Sequence, residues 1–314
     1  MIRRFQNKVA ESRITLPSVA VYAIGIWLLC GLLHQHWWVQ FVCFVLSSIL
    51  MVLFNNVNAL IRIYSRSVSA FFIILSCMAC FLFPSMGGGI AQLCFSASLL
   101  TLYRTYQDKS FVGTIFYTYV LIGLGSLVNI QLLWFVPVLW IVQAGYISSL
   151  GVRTFLSSLL GLILPYWFLA AWTLWNHGSD FTPFLGHFKP LVTFVLPNGY
   201  HSVPLTHIVT FAFLVILAFT GIVHFFRTSY NDKVRVRQIF YSLFFIDAIA
   251  MVIGIAQPQH YDLILRVMIT TTSPLIAHFI SLTHTRLTNI AFYVIIGIIF
   301  LLTVYHVWIL SFTS

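Results

Sequence analysis

Long apolar runs alternate with short polar connections along this chain, and eleven runs can be marked near residues 17–33, 37–54, 67–84, 89–103, 111–128, 130–147, 154–175, 205–226, 239–256, 267–284 and 288–310. A helix needs about 20 apolar residues, rising 1.5 Å each, to pass the hydrocarbon layer of a bilayer. The pattern therefore predicts an all-α fold, a polytopic transmembrane bundle of ten or eleven spans forming one domain over residues 1–314. The 89–103 run would cover only about 22 Å, which makes it a candidate re-entrant helix. Pro137, Pro165 and Pro274 fall inside runs six, seven and ten, where each removes a backbone hydrogen bond that neighbouring polar groups must replace.

One connection departs from the short polar kind. Between Asn176 and Pro204, residues Phe181, Phe184, Leu185, Phe188, Leu191, Val192 and Val195 recur at spacings of 3, 4 and 7. Those spacings line one face of a helix. They predict an amphipathic helix near 181–196 lying on the outer bilayer surface, a possible lid, with Pro183 at its start and Pro190 bending it.

Composition supports a membrane location and excludes a soluble class. The chain is 60% hydrophobic and 7% charged with a mean hydropathy of +0.98, whereas soluble domains carry about 25% charged residues. The net charge of +10 invites a nucleic-acid reading, but the cations do not cluster with aromatics in a groove. Fourteen of the sixteen Lys and Arg residues fall in alternate gaps, leaving Lys189 and Arg266 on the other side. Cytoplasmic loops retain cations, so this bias puts the basic residues 1–16 in the cytoplasm, residues 176–204 outside and, with eleven spans, the C-terminal tail outside. Large Leu29 before Cys30 is unsuited to a cleavage site, so 17–33 is expected to remain as the first span. The five cysteines all lie in apolar runs, where a free thiol packs as a small hydrophobe.

Candidate chemistry is what topology leaves unexplained. Asp247 is the one carboxylate within a run, and a buried acid in lipid is a functional candidate by default. Its expected partner is His278: counted from the cytoplasmic helix ends, the two lie about 12 Å and about 9 Å deep, and together they could relay protons. Thr271 and Ser273, in a hydroxyl run ending at Pro274, could repair that proline's break or coordinate an ion. Asn55, Asn58, Arg62 and Arg66 form a cytoplasmic patch, with the two arginines expected four apart on one helical face as a lipid-phosphate clamp. His177, Asp180, His187 and Arg266 are outer-surface candidates. Their spacing matches no compact metal motif, and no phosphate loop or dinucleotide fingerprint occurs, so no metal or cofactor is implied.

Asn55–Arg66 followed by Ser67-Val68-Ser69-Ala70-Phe71-Phe72, together with Arg153 and Leu160-Gly161-Leu162-Ile163-Leu164-Pro165-Tyr166, resembles an uncharacterised family of multi-pass membrane proteins of Bacteroidota. The resemblance covers about residues 50–175 and implies the bacterial inner membrane without an assigned reaction. The leading expectation is a transporter or flippase-like protein for a lipid-linked or amphipathic substrate, with membrane lipids and other envelope proteins as partners and no nucleic acid. The alternatives are an accessory or scaffold subunit of an envelope assembly and an intramembrane acyl- or glycosyl-transferase.

Overall fold

Lipid offers no hydrogen bonds to a peptide group, so apolar runs of this length satisfy their backbone internally as helices. The computed structural model of the chain describes residues 4–178, 181–192 and 203–313. Among them are thirteen α-helices and no β-strand: α1 (Phe5–Glu11), α2 (Thr15–Leu29), α3 (Trp38–Asn58), α4 (Ser67–Met78), α5 (Met86–Arg104), α6 (Val112–Val128), α7 (Phe135–Gly145), α8 (Val152–His177), α9 (Thr182–Val192), α10 (Leu205–Thr228), α11 (Val234–Ala256), α12 (Tyr261–Leu282) and α13 (Arg286–Thr313). Each of the eleven apolar runs holds one helix, α2 to α8 and α10 to α13. Seven of these, α3, α5, α8 and α10 to α13, are long and apolar enough to cross a membrane. Helices α1 and α2 reach that length only as a pair bent by 88°, and α4, α6 and α7 are shorter apolar helices. This is the build of a multi-helix membrane protein.

Several boundaries differ from the sequence expectation. The 89–103 run belongs to a 19-residue helix that starts at Met86, so it is not the short element expected. Ser85 caps it by accepting a hydrogen bond from the Gly88 N–H at 3.1 Å, which lets a glycine-rich stretch begin a helix. Helices α11 and α12 start at Val234 and Tyr261, several residues before their apolar runs, and draw Arg235, Arg237, Asp262 and Arg266 into helix. Helix α9 matches the first part of the amphipathic helix expected near 181–196, and Phe188 packs 5.2 Å from Tyr166 of α8. The remainder, including Val195, lies outside the described residues.

Helix α12 is the core. It packs against α1, α4, α5, α10 and α11, and 19 of its 22 residues are buried. Close approach is made possible by glycine: a Cβ on Gly221 of α10 would stand 2.8 Å from the Leu275 carbonyl carbon of α12. Helices α6 and α8 meet in the same way, where a Cβ on Gly123 would lie 2.9 Å from Pro165. Small residues at such crossings gain packing contacts, which lipid-embedded helices need because no hydrophobic drive separates them from the tails.

Candidate functional site

The enclosed helix α12 carries Asp262, Arg266, Thr270 to Ser273, His278 and Ser281, and their partners on other helices form three polar centres along it. The first surrounds His278, whose side chain is completely buried. Its Nε2 lies 3.1 Å from Oδ2 of Asp232, a residue of the α10–α11 connection whose side chain is equally buried. The other carboxylate oxygen is 2.8 Å from Nε of Arg62, an ion pair lying off the hydrogen-bond direction. Because a carboxylate only accepts, it fixes a proton on Nε2, and the His278 Nδ1, buried without a partner, is left for another group. Phe240 and Phe225 lie 4.9 and 5.3 Å from the His278 ring and His224 lies 5.6 Å away.

The expected partnership of Asp247 with His278 is not the one formed. Asp247 accepts from the Thr271 hydroxyl at 2.6 Å and from the Thr272 hydroxyl at 3.3 Å. Thr271 and His278 are seven residues apart, about 10 Å along a helix. The depth count failed because α11 begins at Val234, which sets Asp247 about 20 Å from that end, while His278 is about 6 Å from the end of α12 at Leu282. Ser273 donates to the Ile269 carbonyl at 2.5 Å, and Thr270 to Arg266 O at 2.9 Å, so these hydroxyls bond within their own helix.

The patch of Asn55, Asn58, Arg62 and Arg66 is also arranged differently. Helix α3 stops at Asn58, and Ala59 takes a left-handed conformation with φ 47°, so Arg62 and Arg66 share no helical face and do not form the expected two-guanidinium clamp. Arg62 turns to Asp232, while Arg66 donates to the Tyr64 hydroxyl at 3.0 Å. Asn55 donates to Ser65 O at 2.9 Å, and Asn58 accepts from Arg235 at 3.0 Å. Ser65, Ser67 and Ser281 join their hydroxyls alongside, at 2.7 and 3.0 Å.

At the other end of α12, Arg266 is not a surface residue but is only 6% exposed. Its Nε bonds Asp262 at 3.3 Å, one terminal nitrogen bonds Gln92 Oε1 at 3.2 Å, and the other donates to the Leu82 carbonyl. Ser85 donates to Asp262 at 3.0 Å. Of the other outer-surface candidates, His187 sits in α9 with its ring 6.1 Å from Tyr166. Asp180 and the side chain of His177 lie outside the described residues.

A groove of about 550 Å³ runs beside the first centre, walled by α1, α2, α4, α12 and α13. Its lining is mainly apolar, including Phe71, Ile74, Ile280 and Phe292, with Lys8, Ser12 and Thr15 contributing from the N-terminal pair. Ser67 belongs both to this lining and to the hydroxyl cluster reaching Ser281. Sequence reasoning missed the groove and Asp232. The signal for Asp232 was rarity: it is one of six acids in the chain, in a connection otherwise rich in Lys and Arg. Comparison with family models, with curated proteins and with solved structures finds no match.

Proposed function

We propose that this protein is a flippase-like transporter of an anionic amphiphile in a bacterial inner membrane, crossing it about eleven times with the N-terminus in the cytoplasm. The observation that carries this reading is an apolar groove whose lining residue Ser67 is hydrogen-bonded to Ser281, three residues along α12 from His278 of the buried ionic centre. A groove of this volume lies within the roughly 300–1,000 Å³ range of small-molecule sites. Its mixed wall suits an acyl chain, with Lys8 at hand for a phosphate or carboxylate head. Opening at the groove would strain the Arg62–Asp232–His278 bridge; a proton bound at Nδ1 would make His278 cationic and strengthen its pairing with Asp232, so the closed bridge holds the proton and opening releases it. Asp232 thus replaces Asp247 as the coupling partner of His278, and Asp247 with Thr271 serves as a second buried polar station.

The test is translocation of a fluorescent phosphatidic acid in liposomes containing the purified protein. Wild type should move the lipid faster than protein-free vesicles, Lys8→Gln should weaken its uptake several-fold, and His278→Gln should reduce coupling to a pH gradient by tenfold or more. Asp247→Asn is expected to lower the rate without abolishing it. Flux equal to that of empty vesicles would sink the reading.

One observation favours the accessory-subunit reading: neither the 550 Å³ groove, nor a small cavity at Arg266, nor an apolar pocket between α2 and α3 is lined by Asp247 or His278. That reading expects no flux, together with co-purification of a stoichiometric envelope partner.

A further inference from the structure

A second cavity, of about 20 Å³, lies around Arg266, twelve residues or about 18 Å along α12 from His278. Its polar wall comprises Trp27, Gln40, Ser76, Ser85, Gln92 and Arg266. Trp27, Ser76 and Gln92 are each more than nine-tenths buried. The Trp27 Nε1, Ser76 Oγ and Gln92 Nε2 atoms have no hydrogen-bond partner in the protein. A buried donor left unpaired costs about 1–3 kcal/mol, so three around one cavity call for an occupant.

The chemistry of the wall selects it. Trp27 and the Gln92 amide nitrogen can only donate, and a guanidinium has five N–H groups, of which Arg266 directs three to Asp262, Gln92 and Leu82. Gln92 Oε1 and Leu82 O already receive Arg266. A water molecule could place its hydrogens on Ser76, Ser85 or Gln40, but the unpaired groups of Trp27 and Gln92 are donors, and an oxyanion accepts from both and from Arg266 at once. An oxygen that solely accepts satisfies every orphan. The volume fits an oxygen or two rather than a sugar or a base, because one water needs about 10–15 Å³ by this measure.

We propose that this cavity is an oxyanion site that receives one or two oxygens of a phosphate or carboxylate group, carried by a free solute or by a lipid head. Arg266, ion-paired to Asp262 through Nε, supplies its remaining guanidinium N–H groups, and Trp27 and Gln92 supply directed hydrogen bonds in a desolvated setting, where charge-assisted bonds are strongest. Gly88 leaves room for the Asp262–Arg266 pair beside the site: a Cβ there would meet the Asp262 carboxylate and stand 2.5 Å from Arg266 Nε. Trp27 is held in place by stacking on Phe83 with ring centres 3.7 Å apart.

The experiment is calorimetric titration of the full-length protein in phosphatidylcholine nanodiscs with inorganic phosphate, acetate and short-chain dihexanoyl phosphatidic acid. Saturable binding of at least one probe is expected. Trp27→Phe, which keeps the stack and deletes the N–H, and Gln92→Leu should each weaken it fivefold or more, with unfolding temperatures showing that both variants fold. Tighter binding of the lipid than of phosphate identifies a headgroup, and equal binding identifies a free anion; either outcome supports the site. Lys109→Gln, an exposed cation lining neither this cavity nor the groove, should leave these affinities unchanged whether or not the protein transports lipid. Absence of saturable binding for all three probes, or affinities unchanged in folded Trp27→Phe and Gln92→Leu, overturns the assignment. So does a weakening by Lys109→Gln as large as theirs.

Discussion

At the scale of single residues, the most exposed weakness of the structure is Asp232. Its side chain is fully buried and serves His278 and Arg62 together, so Asp232→Ala leaves a buried imidazole and a guanidinium without their counter-group. The expected loss is about 2–3 kcal/mol, read as a lower unfolding temperature in detergent. Arg62→Gln should cost under about 1 kcal/mol, because the Arg62 side chain is 39% exposed and water can screen its charge. Ala59 offers the opposite case. It ends α3 at φ 47°, a conformation that costs a residue with a Cβ about 1–2 kcal/mol, so Ala59→Gly should raise the unfolding temperature. Asp247 could be recognised from the sequence because a lone acid in an apolar run is conspicuous. Its partners could not, since choosing between His278 and Thr271 required helix starts correct to within a turn.

At the scale of elements, the eleven helices follow from apolar length alone, whereas their ends depend on capping and on charges that neighbours neutralise. Arg266 reads as a loop residue until Gln92, Asp262 and Leu82 supply its bonds, and only then can α12 extend back to Tyr261. The crossings also rest on particular residues. Gly221→Ala would press a methyl into the Leu275 backbone of α12 and should cost about 1–3 kcal/mol, the usual range for overpacking. Gly297→Ala in α13 meets nothing within 4 Å and should be neutral or stabilising, because alanine favours helix over glycine. Comparing the thermal unfolding of the two variants checks both statements, and equal losses would show that the α10–α12 contact is looser than described.

At the scale of the whole molecule, the orientation expected from the cations can be tested on two exposed connections. His34→Cys, between α2 and α3, should react with an impermeant maleimide in intact spheroplasts, and Asn231→Cys, between α10 and α11, only after lysis; the reverse pattern would invert the proposed topology. The native thiols are free and buried and should give little background. Taken alone, the sequence determined that the chain is a helical membrane protein and where its apolar helices lie, because the cost of exposing backbone and charge to lipid acts locally on each segment. It could not determine that α12 is the enclosed centre, that Asp232 is the partner of His278, or that Trp27, Ser76 and Gln92 face one cavity with Arg266. Those pairings join residues as far apart as 27 and 266, and their energy exists only once packing has removed the water between them.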